Sequence, residues 1–425
     1  MKKNIYVLVL MLFQLVSNAQ SFIKVERGVL IKEGKPYHYV GTNFWYGMNL
    51  AVSDKDRLIR ELDRLNNLGV KNLRIMAGSE GSLDTPWSVQ PTLQKEPGIY
   101  NEELWAGLDF LLAEMKQRGM TAVVCLNNFW PWSGGFAQYV SWANKNETIP
   151  YPPPAENGDW KKYQQYSARF YSSKTAKKWF ENHIEKVVNR VNSITKIPYK
   201  KDPAIMAWQL ANEPEGSNNV EDYRKWVHET AQYIKNLDSN HLVSIGSEGN
   251  TPSPANGTNF EKDHESPYID YCTFHLWVQN WGWYDPLKAK ETYDFAVQKA
   301  NGYIDEHVKI AQKLNKPIVL EEFGISRDEN SYDAVSTVRI RDGYYKFIFD
   351  KIYSLSKTNS QVAGVNFWAW GGEGRPRTPM SIWKLGDNLI GDPPHEYQGW
   401  YSVYNTDLST QEIISDYAFK CHSLK

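Results

Sequence analysis

Ile205-Met206-Ala207-Trp208-Gln209-Leu210-Ala211-Asn212-Glu213-Pro214 reads as one buried strand and sets the frame for the rest of the chain. Six of its first seven residues are apolar, the density of a strand covered on both faces, and Pro214 ends it too early for a helix. Glu213 therefore falls at the C-terminal edge of a buried strand. A lone carboxylate there could be a loop anion or a helix cap. Its neighbours along the chain decide between these and a chemical role.

Outward from this strand, strand and helix alternate. Before it, residues 37–43, 70–76 and 121–126 read as strands, and 54–67, 102–118 and 175–193 as helices, the first two closed by Gly69 and Gly119. After it come helix 220–237, strands 242–245 and 269–274, helix 293–314, strand 318–320, helix 334–355 and strand 362–367, with 404–425 as a closing helix. Segment 248–267 is too polar and Pro-broken for a full helix and reads as a loop with at most a short helical turn. Eight alternations over this length are the pattern of an α/β fold, the (β/α)8 TIM barrel, with an N-terminal β-hairpin at 22–34 plugging one end and long βα loops. An open doubly wound sheet would carry a Gly-rich phosphate loop after its first strand; this chain has Gly41-Thr42-Asn43-Phe44-Trp45.

The chain opens Met1-Lys2-Lys3, runs through an apolar stretch at 6–16 and reaches Ser17-Asn18-Ala19-Gln20, the pattern of a secretory signal peptide cleaved after Ala19. A membrane span needs roughly 20 apolar residues, and this run is shorter. Residues 1–19 are therefore expected to be a leader, residues 20–425 a single catalytic domain, and the protein secreted or periplasmic. Lys and Arg number 48 against 49 Asp and Glu. Loss of Lys2 and Lys3 leaves a net charge of about −3, a balance that argues against nucleic acid as a partner. Cys125, Cys272 and Cys421 permit one disulfide at most, and the first two lie in strand-like runs where a buried thiol is expected. No metal-ligand spacing and no cofactor motif is visible, so no metal and no cofactor is expected. The 17 Trp and 26 Tyr exceed what a core needs, and aromatic rings stack on the C–H faces of sugars.

In a barrel, chemistry collects at the C-terminal strand ends. Those ends carry Arg74, Asn127, Asn128, Asn212, Glu213, His275, Trp277, Glu322, Trp368 and Trp370. Packing does not ask for such a set, because burying a carboxylate costs several kcal/mol unless partners compensate. Two glutamates facing one another across the mouth suggest glycoside hydrolysis, one protonating the leaving oxygen and the other attacking the anomeric carbon. Arg74 then holds Glu322 ionised, Asn212 meets the sugar 2-hydroxyl, His275 polarises or relays a proton, and Trp368 forms the floor. A non-catalytic polysaccharide-binding barrel would need the aromatics but not the two glutamates. A proton-abstracting or metal-dependent barrel would need a Lys base or a ligand cluster.

Asn212-Glu213-Pro214, Glu322-Phe323-Gly324, Leu73-Arg74-Ile75 and Phe367-Trp368, in this order, resemble glycoside hydrolase family 5. Asn127-Asn128-Phe129-Trp130 with Gly134-Gly135, Gly41-Thr42-Asn43-Phe44 and Phe260-Glu261-Lys262-Asp263-His264 resemble its endo-β-1,4-mannanase branch. The resemblance implies a retaining enzyme acting on β-mannan, with Glu213 as acid/base and Glu322, which directly precedes the aromatic-Gly step, as nucleophile. Glu321 then points the other way by strand alternation. Trp45, Asn127, Asn128, Trp277, Trp281, Trp368 and Trp370 are the expected sugar-binding residues. Trp130, Trp132, Tyr139, Trp142, Tyr151 and Trp160 on the loop after strand three are candidate walls. Two departures matter: Trp277 stands where many members have a Tyr that donates to the nucleophile, and Glu215 replaces a sugar-binding Arg. The second leaves an exo-acting β-mannosidase as an alternative; a β-1,4-glucanase is another, because barrels of this kind change specificity through their loops. The expected acid implies a raised pKa at Glu213 and a lowered one at Glu322.

Overall fold

A computed structural model describes residues 21–424; the expected leader and its cleavage point lie outside the described residues. The eight barrel strands are β1 (Tyr39–Asn43), β2 (Asn72–Met76), β3 (Thr121–Cys125), β4 (Ile205–Gln209), β5 (Leu242–Ser244), β6 (Cys272–Leu276), β7 (Ile318–Phe323) and β8 (Val362–Phe367). They pair in parallel, running from β5 through β4, β3, β2, β1, β8 and β7 to β6. Single bonds bridge the seam between β5 and β6: Asp270 N to Val243 O at 2.8 Å and His275 N to Glu248 O at 3.1 Å. Every residue of these strands is buried, as strands covered inside and out must be. Gly364 on β8 has a packing reason: a Cβ there would lie 2.6 Å from the Tyr39 ring that fills the barrel.

Helices cover the outside: α1 (Lys55–Asn67), α2 (Glu102–Gln117), α3 (Lys174–Val188), α4 (Val220–Leu237), α5 (Phe260–Asp263), α6 (Ala289–Leu314), α7 (Arg339–Thr358) and α8 (Leu408–His422). The short α5 is the single helical turn expected in segment 248–267. The hairpin Lys24–Glu26 with Val29–Lys32, extended by Lys35–Pro36, lays Ile23 and Leu30 against Tyr39, Val123, Met206, Tyr271 and Val319, closing the end remote from the strand C-termini.

Several boundaries move, each for a local reason. The helix expected to reach residue 193 stops at Val188, because Arg190 turns onto buried Asp109 (2.6 Å) and Asn192 accepts from Ile194 N and Thr195 N. The helix expected from 334 begins at Arg339, where Asp328 caps the amides of Arg339 and Ile340 at 3.0 and 2.9 Å. The helix expected from 293 begins earlier, at Ala289, and the closing helix covers only Leu408–His422 because Val403–Tyr404 pairs with Trp370–Gly372 as a strand. Strand β6 starts three residues later and ends two residues later than expected, and β7 runs on to Phe323. A register shift between Phe274 and His275 then sets His275 opposite Glu322.

Candidate active site

Arg74 stands at the centre of the barrel mouth. Its Nε donates to Gln209 Oε1 (2.6 Å), Nη1 to Asn43 Oδ1 (3.1 Å) and to Glu322 Oε1, and Nη2 to Asn212 Oδ1 (2.8 Å). Partners from three strands, β1, β4 and β7, thus converge on one guanidinium, whose planar fork keeps all four in place. Glu321 and Glu322 are neighbours on β7 with opposite fates. Glu321 turns into the barrel, where Gln209 Nε2 donates to both its oxygens at 2.9 and 2.7 Å, and Glu322 turns to the mouth.

Glu213 lies beyond β4 with φ +47°, a left-handed backbone that costs a residue with a Cβ about 1–3 kcal/mol. Its amide donates to Gly246 O at 2.9 Å, and Gly246 itself needs φ +84° because a Cβ would meet Ala211 O at 2.0 Å. The carboxylate is saturated with donors. His275 Nδ1 (2.5 Å) and Trp277 Nε1 (3.1 Å) reach Oε1, and Trp130 Nε1 reaches Oε2 at 2.5 Å. The same His275 Nδ1 lies 3.3 Å from Glu322 Oε2. Glu213, His275 and Glu322 therefore bring one donor atom each within 4.8 Å of one another.

The charges follow from this geometry. Burial alone would raise the Glu213 carboxyl, but His275 and the two indole donors hold it below the usual carboxylate range. Burial pushes Glu322 up to about 7, against the pull of His275 and Arg74 and helped by Glu213 and Glu321. His275 would be lowered by burial, yet the two glutamates raise it to about 9. The expected order of the pair is thus reversed: the proton sits on the imidazole and Glu213 is the more acidic carboxyl, because three donors converge on it.

A cavity of about 490 Å³ opens above these groups. Asn212, Glu213, Glu322, Trp277 and Trp368 line it, with Trp130, Trp132 and Trp160 from the loop after β3 and 393–401 from the loop after β8. Trp160 meets His395 edge-on at 6.0 Å, so those two loops touch across the mouth. The β8 loop is tied at its base by Asp392, which accepts from Gly399 N (2.9 Å), Tyr401 N (2.6 Å) and Ser402 Oγ (2.6 Å).

Five of the expected sugar-binding residues lie off the cavity wall. Trp45 is buried against Trp132 and donates to Gly391 O at 2.8 Å. Trp370 is fully buried and donates to Glu61 Oε2 at 2.9 Å. Trp281 packs on Trp283 and Tyr303. Asn127 turns back to accept from Asn128 N at 2.7 Å. Asn128 braces others, accepting from Asn212 Nδ2 (3.1 Å) and Trp130 N (3.1 Å). Strand-end position alone does not separate a wall from a brace. Trp277 is at the wall but serves Glu213, not the expected nucleophile, because its indole N–H points across the mouth. Tyr139 and Trp142, expected as walls, pack on each other, and Tyr139 OH is tied to Gln94.

Some site residues escaped sequence reading. Trp130 was visible as a wall but not as a donor to Glu213. Glu248 lines the cavity three residues beyond the end of the strand expected at 242–245, the position that singled out other candidates, and was hidden by the polar loop around it. His395, Glu396 and Asn280 stand on loops with no motif.

Comparison with known proteins gives the family. A family model described as GH family 5 beta-mannosidase-like matches residues 20–425. A glycoside hydrolase family 5 mannosidase from Rhizomucor miehei is 39% identical, with a TM-score of 0.88 over 95% of this chain and 98% of that one. Mannan endo-1,4-beta-mannosidase 1 of Solanum lycopersicum is 33% identical over 97% of this chain and 94% of its own length. Mannan endo-1,4-beta-mannosidase 7 of Arabidopsis thaliana is 31% identical over 82% and 77%. With the barrel, the paired glutamates and a match over residues 20–425, the chain belongs to the β-mannosidase-like group of glycoside hydrolase family 5.

Proposed function

We propose that the protein is a retaining endo-β-1,4-mannanase, cutting internal bonds of mannan, glucomannan or galactomannan by double displacement. The observation that carries the reading is the approach of Glu213 and Glu322 oxygens within 4.8 Å. Retaining glycosidases hold their carboxyls about 5–5.5 Å apart, and inverting ones about 6.5–9.5 Å, to admit a water. The substrate is supported by the tomato and Arabidopsis relatives, both named for mannan, and by a complex of a Rhizomucor miehei mannosidase variant with mannosyl-fructose, 40% identical to this chain.

Glu322 Oε2, the oxygen not held by Arg74, attacks the anomeric carbon. The glycosidic C–O bond breaks as its oxygen takes the proton of Glu213, which His275 Nδ1–H supplies across the 2.5 Å contact. The leaving sugar departs and a mannosyl ester remains on Glu322. Glu213, again a carboxylate, takes a proton from water and returns it to His275 Nδ1, while the water oxygen displaces Glu322, so that all three groups are restored. Asn212, fixed between Arg74 and Asn128, presents its amide to the sugar 2-hydroxyl, and Trp368 lies under the ring.

A second reading, exo-acting β-mannosidase, is favoured by one observation: the Trp160–His395 contact that spans the mouth. Products resolved over time from unbranched β-1,4-mannan and mannohexaose decide. A ladder of oligosaccharides is the endo outcome, mannose alone from the start is the exo outcome, and no product defeats both. We further propose export, on the leader pattern at 1–19; N-terminal sequencing of exported protein beginning at Gln20 tests it. Among the described residues no helix is long and apolar enough to cross a membrane.

A further inference from the structure

We propose that Glu213, His275 and Glu322 also form a binding site for one divalent transition-metal ion, with Zn²⁺ as the defining probe, and that its occupation blocks hydrolysis. The ligand types are right: one imidazole nitrogen and two carboxylate oxygens suit Zn²⁺, Cu²⁺ or Ni²⁺ and exclude a purely hard-ion site. The spacing is nearly right as it stands. Zn–N and Zn–O bonds near 2.0–2.2 Å in a tetrahedron place ligand atoms about 3.3 Å apart. His275 Nδ1 and Glu322 Oε2 are 3.3 Å apart, so that pair already fits; His275 Nδ1 and Glu213 Oε1, 2.5 Å apart, open on entry of the ion, and the two glutamate oxygens lie within 4.8 Å of one another.

The surroundings already orient the three groups as metal ligands are oriented. Arg74 holds Glu322 by Oε1, leaving Oε2 free; Trp130 holds Glu213 by Oε2, and at Oε1 the ion takes the place of the His275 proton while the Trp277 indole stays bonded. His275 Nε2 is buried with no hydrogen-bond partner, and Glu321 Oε2 stands 3.9 Å behind it. That places a carboxylate on the far side of the imidazole, the partner that metal-bound histidines use to fix their tautomer. Charge agrees as well. With a neutral imidazole, Glu213, Glu321 and Glu322 against Arg74 leave two net negative charges, which a divalent cation cancels. The ion would occupy the place where the anomeric carbon must lie between the glutamates, so binding and hydrolysis exclude one another.

The experiment is calorimetric titration of the full chain with zinc chloride in a non-chelating buffer, without substrate, so that its result stands whether or not mannan is cleaved. One ion per chain is expected. Glu213→Gln and Glu322→Gln should each weaken binding by at least about tenfold, while Glu248→Gln, a cavity carboxylate outside the trio, should weaken it distinctly less. X-ray absorption on the unmodified protein gives an independent reading, one imidazole with oxygen ligands. No binding, equal loss in Glu248→Gln, or a zinc shell without imidazole overturns the proposal.

Discussion

The strand ends and the loop wall of this site are built by different rules. At the strand ends, Arg74, Asn212, His275 and Glu322 are placed by backbone that has no freedom: each lies on or next to a barrel strand and is bonded to a neighbour on another strand. At the wall, Trp130, Trp160 and His395 come from loops after β3 and β8, held by contacts such as the edge-on meeting of Trp160 with His395. In the mechanism proposed above, the first region does the chemistry and tolerates little. The second decides what reaches it.

Substitutions in the two regions test this contrast. The largest effect is expected on β7, where Glu322→Gln should cost several orders of magnitude in kcat while Glu321→Gln leaves turnover and lowers stability. Loss of turnover in a folded Glu321→Gln protein, with Glu322→Gln active, would reverse the two roles. Next comes Arg74→Lys, which keeps the charge but cannot serve Gln209, Asn43, Asn212 and Glu322 together; denaturant unfolding should register a loss of about 3–5 kcal/mol, with activity falling in parallel.

On the wall, Trp130→Phe removes one donor to a charged acceptor, about 1.5–3 kcal/mol. It should lower kcat/KM by roughly tenfold to hundredfold and move the Glu213 limb of the pH–rate profile upward. Trp370→Phe, buried and off the cavity, should leave that profile untouched; a shift there would mean the mouth feels the outer wall.

The smallest effect concerns Glu80, which braces the loop after β2 against that after β3 through Gly135 N (3.0 Å). Burial raises its carboxyl to about 8 from 4.5. The folded state thus holds this proton more tightly than the unfolded chain. Its contribution to stability is full below about pH 4.5 and declines as pH rises through about 8, by at most a few kcal/mol. Glu80→Gln should flatten that decline in thermal melts; an unchanged pH dependence would remove Glu80 as its source.

How much was legible in the sequence follows the same division. The barrel and both glutamates could be read because a buried strand leaves a dense apolar run, and a carboxylate at its end has no packing excuse. Trp370 and Trp281 were misplaced because one-dimensional adjacency to a strand end does not say which way a ring turns. The reversed acidities of Glu213 and Glu322 were out of reach, since they depend on three donors brought together from β6, its following loop and the loop after β3. Helix α7 started late because its cap, Asp328, lies eleven residues ahead of Arg339.

Asp392 has an implication for how such a site changes over time. Its carboxylate closes the segment from 392 to 402 on itself, with Gly399, Tyr401 and Ser402 as the fastening points, and makes no bond to Arg74 or either glutamate. The segment behaves as a cassette that carries its own clasp. A lineage can redraw the outline of the cavity by exchanging what lies inside the clasp, while the reacting groups stay as they are.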